Sequence, residues 1–245
     1  MVKKIGIMQP YLFPYLGYFQ LIDAVDVFVL SDDLQYIRQG WINRNRILVQ
    51  GQAKYIHIPI KHDSYLLNIN ERVFPDNHRS TIRTLLKTIA TAYGRAPFFK
   101  DVFPMVESVM RSPERNLARY VENSIRTVCT YLQISTPILI SSELGLKSDL
   151  RGQQRVIETV KSLKGDVYIN PIGGVELYNF DDFKGQGIAL QFHRMCDMQS
   201  RRPGDDFEPY LSIIDMLMFN SISDMRKRLS HYSLESNERR DCSAT

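Results

Sequence analysis

Three stretches concentrate the side chains that could do chemistry. The first, QPYLFPYLGYF, runs over residues 9–19 and holds two prolines, three tyrosines and a glycine. Pro10 and Pro14 fix φ and remove two backbone donors, so the stretch is pre-organised. Gly17 permits a close approach or a positive φ. Tyr11, Tyr15 and Tyr18 bring rings that can stack on a base and hydroxyls that can meet a sugar or phosphate, and Gln9 adds an amide. The same rings would serve equally well to pack this loop on a helical block.

The second stretch, DDLQYIRQGWINRNR, covers residues 32–46. Asp32 and Asp33 are suited to a metal, a ribose or an amine; they are equally suited to starting a loop or capping a helix. Tyr36 and Trp41 add aromatic surface. Arg44 and Arg46, interleaved with Asn43 and Asn45, can hold a phosphate in forked geometry, unless one of them lies on a solvated strand face. Beyond them, His57 sits between Ile56 and Ile58, which would point the other way and leave the histidine facing a cleft. Lys61 closes the same segment, where it would meet a phosphate or act on a reacting carboxylate, or simply sit on the surface.

The third stretch is NPIGG, residues 170–174. Gly173 and Gly174 can present backbone N–H groups to an anion, with Asn170 and Pro171 leading in; a plain turn is the alternative. Together, Tyr18, Asp32, Asp33 and Lys61 form the candidate catalytic set. Gln9, Pro10, Tyr11, Tyr15, Gly17, Tyr36, Trp41, Asn43, Arg44, Arg46, His57 and the NPIGG residues form the candidate binding set.

Neither glycine-rich phosphate-loop motif occurs, nor H-E-x-x-H. The histidines at 62, 78 and 193 are scattered, so no metal site is expected. Cys129, Cys196 and Cys242 are widely spaced and form no C-x-x-C pair, which supports neither a disulfide framework nor a zinc site.

These stretches need strands to position them. Residues 3–9 read as a buried first strand and 19–24 as a short helix. Residues 25–33, VDVFVLSDD, are apolar on both faces, as a central parallel strand would be. Residues 41–61 look like a hairpin turning at QGQ, with Pro59 at an edge or an end. Helical periodicity marks 80–93, 97–110 and 117–132. A strand follows over 136–144, a helix over 152–163, a strand over 166–178 that runs into the Pro-Gly-Gly turn, a strand over 187–195 and a helix over 210–220. This alternation predicts a Rossmann-like three-layer α/β domain over residues 1–232, with a parallel sheet, a helical insertion at about 80–132 and a polar tail at 233–245. Ligands in such a sheet bind at the C-terminal strand ends, and all three stretches follow strands.

The totals agree with one large domain. The chain has 245 residues, 44 % hydrophobic and 24 % charged, with a net charge of +4. The mild basicity suits an anionic small molecule and does not require nucleic acid. No apolar run is long enough to span a bilayer, and the N-terminus is too short in apolar residues for a signal peptide, so a cytoplasmic location is expected.

IMQPYLFPYLGYFQLI, DD-x-Q-Y-x-x-x-x-W-I-N-R-N-R-I and YINPIGGVELY resemble the WbqC-like family, over nearly the whole chain. That family takes its name from a protein of bacterial O-antigen gene clusters. The resemblance implies a role in making surface polysaccharides and decorated amino sugars. A fainter resemblance is to pantothenate synthetase and the HIGH-type nucleotidyltransferases. Laid over their first motif, Tyr15 and Tyr18 stand where two histidines would, with Gly17 in the glycine position. Both histidines are absent here, and so is a K-M-S-K-S-like partner, so Arg44 and Arg46 or Lys61 would have to serve.

The combined expectation is an enzyme that N-acylates a nucleotide-linked amino sugar, with a small carboxylic or amino acid such as glycine as acyl donor and ATP with magnesium as candidate cofactors. A non-catalytic nucleotide-sugar-binding or partner-binding protein and a sugar-phosphate nucleotidyltransferase are the alternatives. A homo-oligomer is compatible with the sequence.

Overall fold

The computed structural model describes residues 1–147, 149–196 and 208–236. In chain order the elements are β1 (Lys4–Met8), α1 (Leu16–Ala24), β2 (Val27–Leu30), β3 (Arg44–Val49), β4 (Gln52–His57), α2 (His78–Tyr93), α3 (Phe99–Met110), α4 (Leu117–Tyr131), β5 (Ile138–Ile140), α5 (Gly152–Ser162), β6 (Val167–Pro171), α6 (Phe180–Lys184), β7 (Ala189–Met195), α7 (Ile213–Phe219), α8 (Ile222–Leu229) and β8 (Tyr232–Glu235). Short 3₁₀ turns at Ile69–Glu71, Ser141–Glu143 and Ile172–Leu177 complete the chain.

Six strands form one sheet in the order β5-β2-β1-β6-β7-β8. All neighbours are parallel except β7 and β8. The hairpin β3–β4 is a separate two-stranded sheet.

The period-2 pattern of the strands divides the core into two layers. Ile5, Ile7, Val29 and Tyr168 pack with Ile157, Val160 and Phe183 from α5 and α6 on one face. Phe28, Leu30, Val167 and Ile169 join the larger cluster on the other face, with α1 to α4, α7 and α8. Two such faces explain why β2 is apolar throughout: every side chain of a central parallel strand is covered. The helical segment expected at about 80–132 forms α2 to α4. Their inward stripes (Ile82, Leu86, Ile89; Val102, Val106, Val109; Val121, Ile125, Val128) are all buried. Cys129 lies in this layer, and burial pushes its thiol up to about 12. Cys242 lies outside the described residues.

Near the C-terminus the structure differs from the sequence reading. The tail expected from Ser233 begins instead as β8, in which Ser233 and Leu234 pair with Arg194 and His193, while residues 237–245 lie outside the described residues. The strand supplies what a polar composition hides, namely backbone partners for the open edge of β7. Helix α8 shows no long apolar run, and only Met225 and Leu229 are buried in it.

That edge carries a pH dependence. His193 on β7 is 3 % exposed, its Nε2 has no partner among the described residues, and its ring lies 4.8 Å from that of Tyr232. Burial pushes the imidazole down to about 4, so the fold holds the neutral ring. The unfolded chain binds the proton below about pH 6.5. Stability from this site is therefore complete above about pH 6.5 and is lost as pH falls towards 4, amounting to about 2 kcal/mol at about pH 5. Urea unfolding at about pH 7.5 and 5 should show His193→Phe losing less stability on acidification than the parent chain by roughly that amount.

Candidate functional site

Because β2, β1 and β6 are consecutive parallel neighbours, the segments after them leave the sheet side by side. The strand order reverses direction between β1 and β6, the kind of position where open α/β sheets bind ligands.

After β1, the aromatic loop is clamped from three sides. Leu12 N–H donates to the Trp41 carbonyl (3.1 Å). Asn45 Nδ2 donates to the carbonyls of Leu12 (2.9 Å) and Phe13 (2.8 Å), and Ser212 Oγ also donates to Phe13 (2.8 Å). Phe13 itself has φ 41°. Tyr18 is fully buried in the core, with its hydroxyl donating to the Gln9 carbonyl at 2.8 Å and its ring 5.7 Å from Tyr11. Tyr15 meets Tyr210 edge-on at 5.5 Å, and burial pushes its phenol up to about 12. A Cβ on Gly17 would lie 2.5 Å from the Tyr15 ring, so this glycine serves close approach. Of the loop residues, Pro10 alone lines either of the two cavities described below.

After β2, the acid pair is engaged. Asp32, 6 % exposed, accepts from Ser142 N–H (3.0 Å), Ser142 Oγ (2.7 Å) and Asn70 Nδ2 (3.2 Å). Ser141 Oγ lies 3.1 Å from Asp32 and also in contact with Asp33, one proton serving two acceptors. Asp33 pairs with Arg155 of α5. A cavity of about 330 Å³ opens at these strand ends, lined by Pro10, Asp32, Asn70, Arg119, Ile140 and Ser142 among others.

After β6, the NPIGG residues form the end of the strand and a 3₁₀ turn. Asn170 accepts from Tyr168 hydroxyl (2.8 Å), and its Nδ2 contacts the Pro171 carbonyl (3.0 Å). A side chain on Gly174 would meet Asn170 Nδ2 at 2.1 Å. Gly173 faces open space. These residues line neither cavity.

The hairpin carries a second cavity, about 490 Å³. It gathers Tyr36, Asn43, Arg44, His57 and Lys61 from the sequence candidates. It adds Arg38, His62, Asp63 and Arg72, which motif reading did not single out. Antiparallel pairing sets Arg44 opposite His57. Tyr36 hydroxyl donates to Asn43 Oδ1 (2.8 Å), and Asn43 Nδ2 reaches both the Ile58 carbonyl (2.8 Å) and His57 Nε2 (2.9 Å). Burial, then Arg44, lowers the His57 pKa. Burial also raises that of Tyr36, against the opposing pull of Arg72, Arg44 and Arg38.

The two arginines of NRNR turn to different protein partners. Arg44 turns to the carbonyls of Gly40 (3.0 Å) and Gln39, over the Tyr55 ring at 4.7 Å. Arg46 lies outside the cavity, paired with Glu208 (2.8 Å) and the Pro209 carbonyl (2.9 Å). Trp41, stacked on Tyr55, lies 5.9 Å from each guanidinium.

The two cavities share walls. Residues 32–36 and 68–72 run side by side through Ile69 N–H to Leu34 carbonyl (2.9 Å) and Asn70 N–H to Asp32 carbonyl (2.9 Å). Asp32 and Asn70 line the strand-end cavity, whereas Tyr36 and Arg72 line the hairpin cavity.

Fold and site together define a mixed α/β protein with a mostly parallel sheet, an acidic strand-end cavity and a basic hairpin cavity. The WbqC-like protein family model matches residues 9–227, and the chain belongs to that family. It is similar to an uncharacterized protein, Rv1507c, of Mycobacterium tuberculosis, 24 % identical over 221 residues, covering 88 % of this chain and 93 % of the relative. No solved structure matches. Among the described residues, no helix is long and apolar enough to cross a membrane.

Proposed function

We propose that this chain is an enzyme of bacterial surface-glycan biosynthesis that N-acylates a nucleotide-linked amino sugar. The hairpin cavity holds the phosphates, and the sugar amine lies towards the strand-end cavity. The carrying observation is the shared wall of residues 32–36 and 68–72, which sets a cation-rich cavity beside a carboxyl-lined one. A phosphate next to a sugar amine presents that same order of charges.

In the ATP-dependent version, a small carboxylic or amino acid attacks the α-phosphorus of ATP and releases pyrophosphate. The sugar amine then attacks the acyl carbon, releasing AMP and a proton. Arg44 and Lys61 neutralise phosphate charge. Tyr15 and Tyr18, at the places of the HIGH histidines, have their rings in the packing of the loop, so that charge rests on the hairpin cations. Asp32 and Asp33 act here by holding the wall rigid.

That engagement of the acids also favours a second reading, a binding protein for the same nucleotide sugar. Turnover separates the two. The chain, incubated with UDP- or dTDP-linked amino sugars, glycine and magnesium-ATP, is expected to release AMP and yield an acylated sugar. Nucleotide-sugar binding without AMP release or acylation would leave the binding protein. With a sugar phosphate supplied in place of the nucleotide sugar, pyrophosphate release without AMP would point to a nucleotidyltransferase.

A further inference from the structure

Arg72 follows the 3₁₀ turn Ile69–Glu71. Its N–H donates to the Ile69 carbonyl (3.2 Å), and its own carbonyl accepts from Leu117 N–H (2.9 Å). The residue is 4 % exposed and lines the hairpin cavity. Among the described residues its guanidinium makes no hydrogen bond and no ion pair; its Nε is buried and unpartnered, while its Nη atoms open to the cavity. The contact of its charge is with the Tyr36 ring, 5.0 Å to the centroid.

A buried cation without an anion is costly, and a ring face offsets only part of that cost. The surroundings do not supply the missing charge. Arg38, Arg44 and Lys61 line the same cavity, with Asp63 as its carboxyl group. Four cations against one acid leave an excess of three positive charges. Arg44 is held by two neutral carbonyls, which leave its charge uncompensated.

The wall is also set to donate. Asn43 spends its oxygen on the Tyr36 hydroxyl and turns its Nδ2 to His57 Nε2. That assignment makes Nε2 the acceptor and leaves Nδ1 to carry the ring's proton. Guanidinium, ammonium and imidazole N–H suit a ligand with many acceptor oxygens and more than one negative charge. A monocarboxylate has two oxygens and one charge; a diphosphate matches better.

We infer that the hairpin cavity is a diphosphate site anchored by Arg72. The inference deepens the reading above by naming the group bound and its anchor, and it stands on the cavity's own charges rather than on acyl transfer.

The test is titration of the full chain with inorganic pyrophosphate, by calorimetry and thermal shift. The parent chain should bind and melt higher with ligand. Arg72→Met should weaken binding by about tenfold or more, while melting no lower than the parent without ligand, since an unpaired buried charge has gone. A purely structural Arg72 would do the reverse, lowering the ligand-free melting temperature and leaving affinity unchanged, and that result overturns the proposal. Lys61→Met, on the exposed rim, should weaken binding several-fold, so a poorly folding Arg72 variant does not remove the test; unchanged affinity there also overturns it. So does failure of the parent to bind pyrophosphate, or equal binding of acetate.

Competition identifies the source of the group: displacement by a UDP-linked amino sugar assigns the site to the sugar nucleotide, and displacement by ATP alone assigns it to the triphosphate. Pyrophosphate binding without acyl transfer leaves the site standing and removes only the acylation reading. Acyl transfer undiminished in Arg72→Met removes the site and leaves that reading intact.

Discussion

Replacing Asp32 by alanine is expected to cost about 2–4 kcal/mol of stability, because neutral N–H, hydroxyl and amide donors lose their shared acceptor. Its oxygens gather the N–H and hydroxyl of Ser142, the hydroxyl of Ser141 and the amide of Asn70. These groups come from the turn after β5 and from the turn after the hairpin, so one side chain ties two segments to the end of β2. In alanine's place, at least one backbone N–H and one side-chain amide lose their acceptor, each costing about 1–3 kcal/mol where water cannot replace it. Urea unfolding should show a lower midpoint at unchanged slope. A loss under about 1 kcal/mol would mean that water substitutes freely and that the strand-end wall is not the rigid surface described. The same variant should lose any activity that needs the shared wall between the cavities.

The second large effect is expected at Asn45. Asn45→Asp turns the Nδ2 donor into an acceptor facing the carbonyls of Leu12 and Phe13. Asn45 is 3 % exposed, so repulsion is poorly screened. The expected cost is about 2–4 kcal/mol, from one or two buried carbonyls left without a donor. Ser212 still reaches Phe13, which keeps the figure from being larger. Unfolding at fixed pH measures it. Limited proteolysis between residues 9 and 15 should quicken in the variant, because Asn45 joins the aromatic loop to the hairpin. A stability loss below about 1 kcal/mol would show that the prolines and rings hold the loop by themselves.

Both predictions concern residues whose type was visible in the sequence but whose duty was not. Asp32 reads as an acid at a strand end, and that is where it lies. Nothing in SDDLQY announces that its acceptors are filled by serines about 110 residues later. Asn45 reads as a spacer between two arginines. Strand alternation sends it inward, 3 % exposed, while Arg44 and Arg46 share the other face with Trp41. The forked phosphate grip expected of those arginines depends on where their ends go, and Glu208 draws Arg46 away. No spacing rule reaches across 162 positions.

By itself the sequence determined the alternating β and α elements, the helical segment between hairpin and fifth strand, and the family. Those depend on local periodicity and on long motifs, which are written residue by residue. It also placed three motif-bearing segments after strands. Tertiary structure alone decided which of their side chains face a cavity. The tyrosine loop that looked most like a binding surface is mainly packed inward. Arg72, in a stretch with no motif, became a buried cation beside Tyr36. Burial and charge balance are sums over groups distant in sequence, so they arise only when the chain is folded.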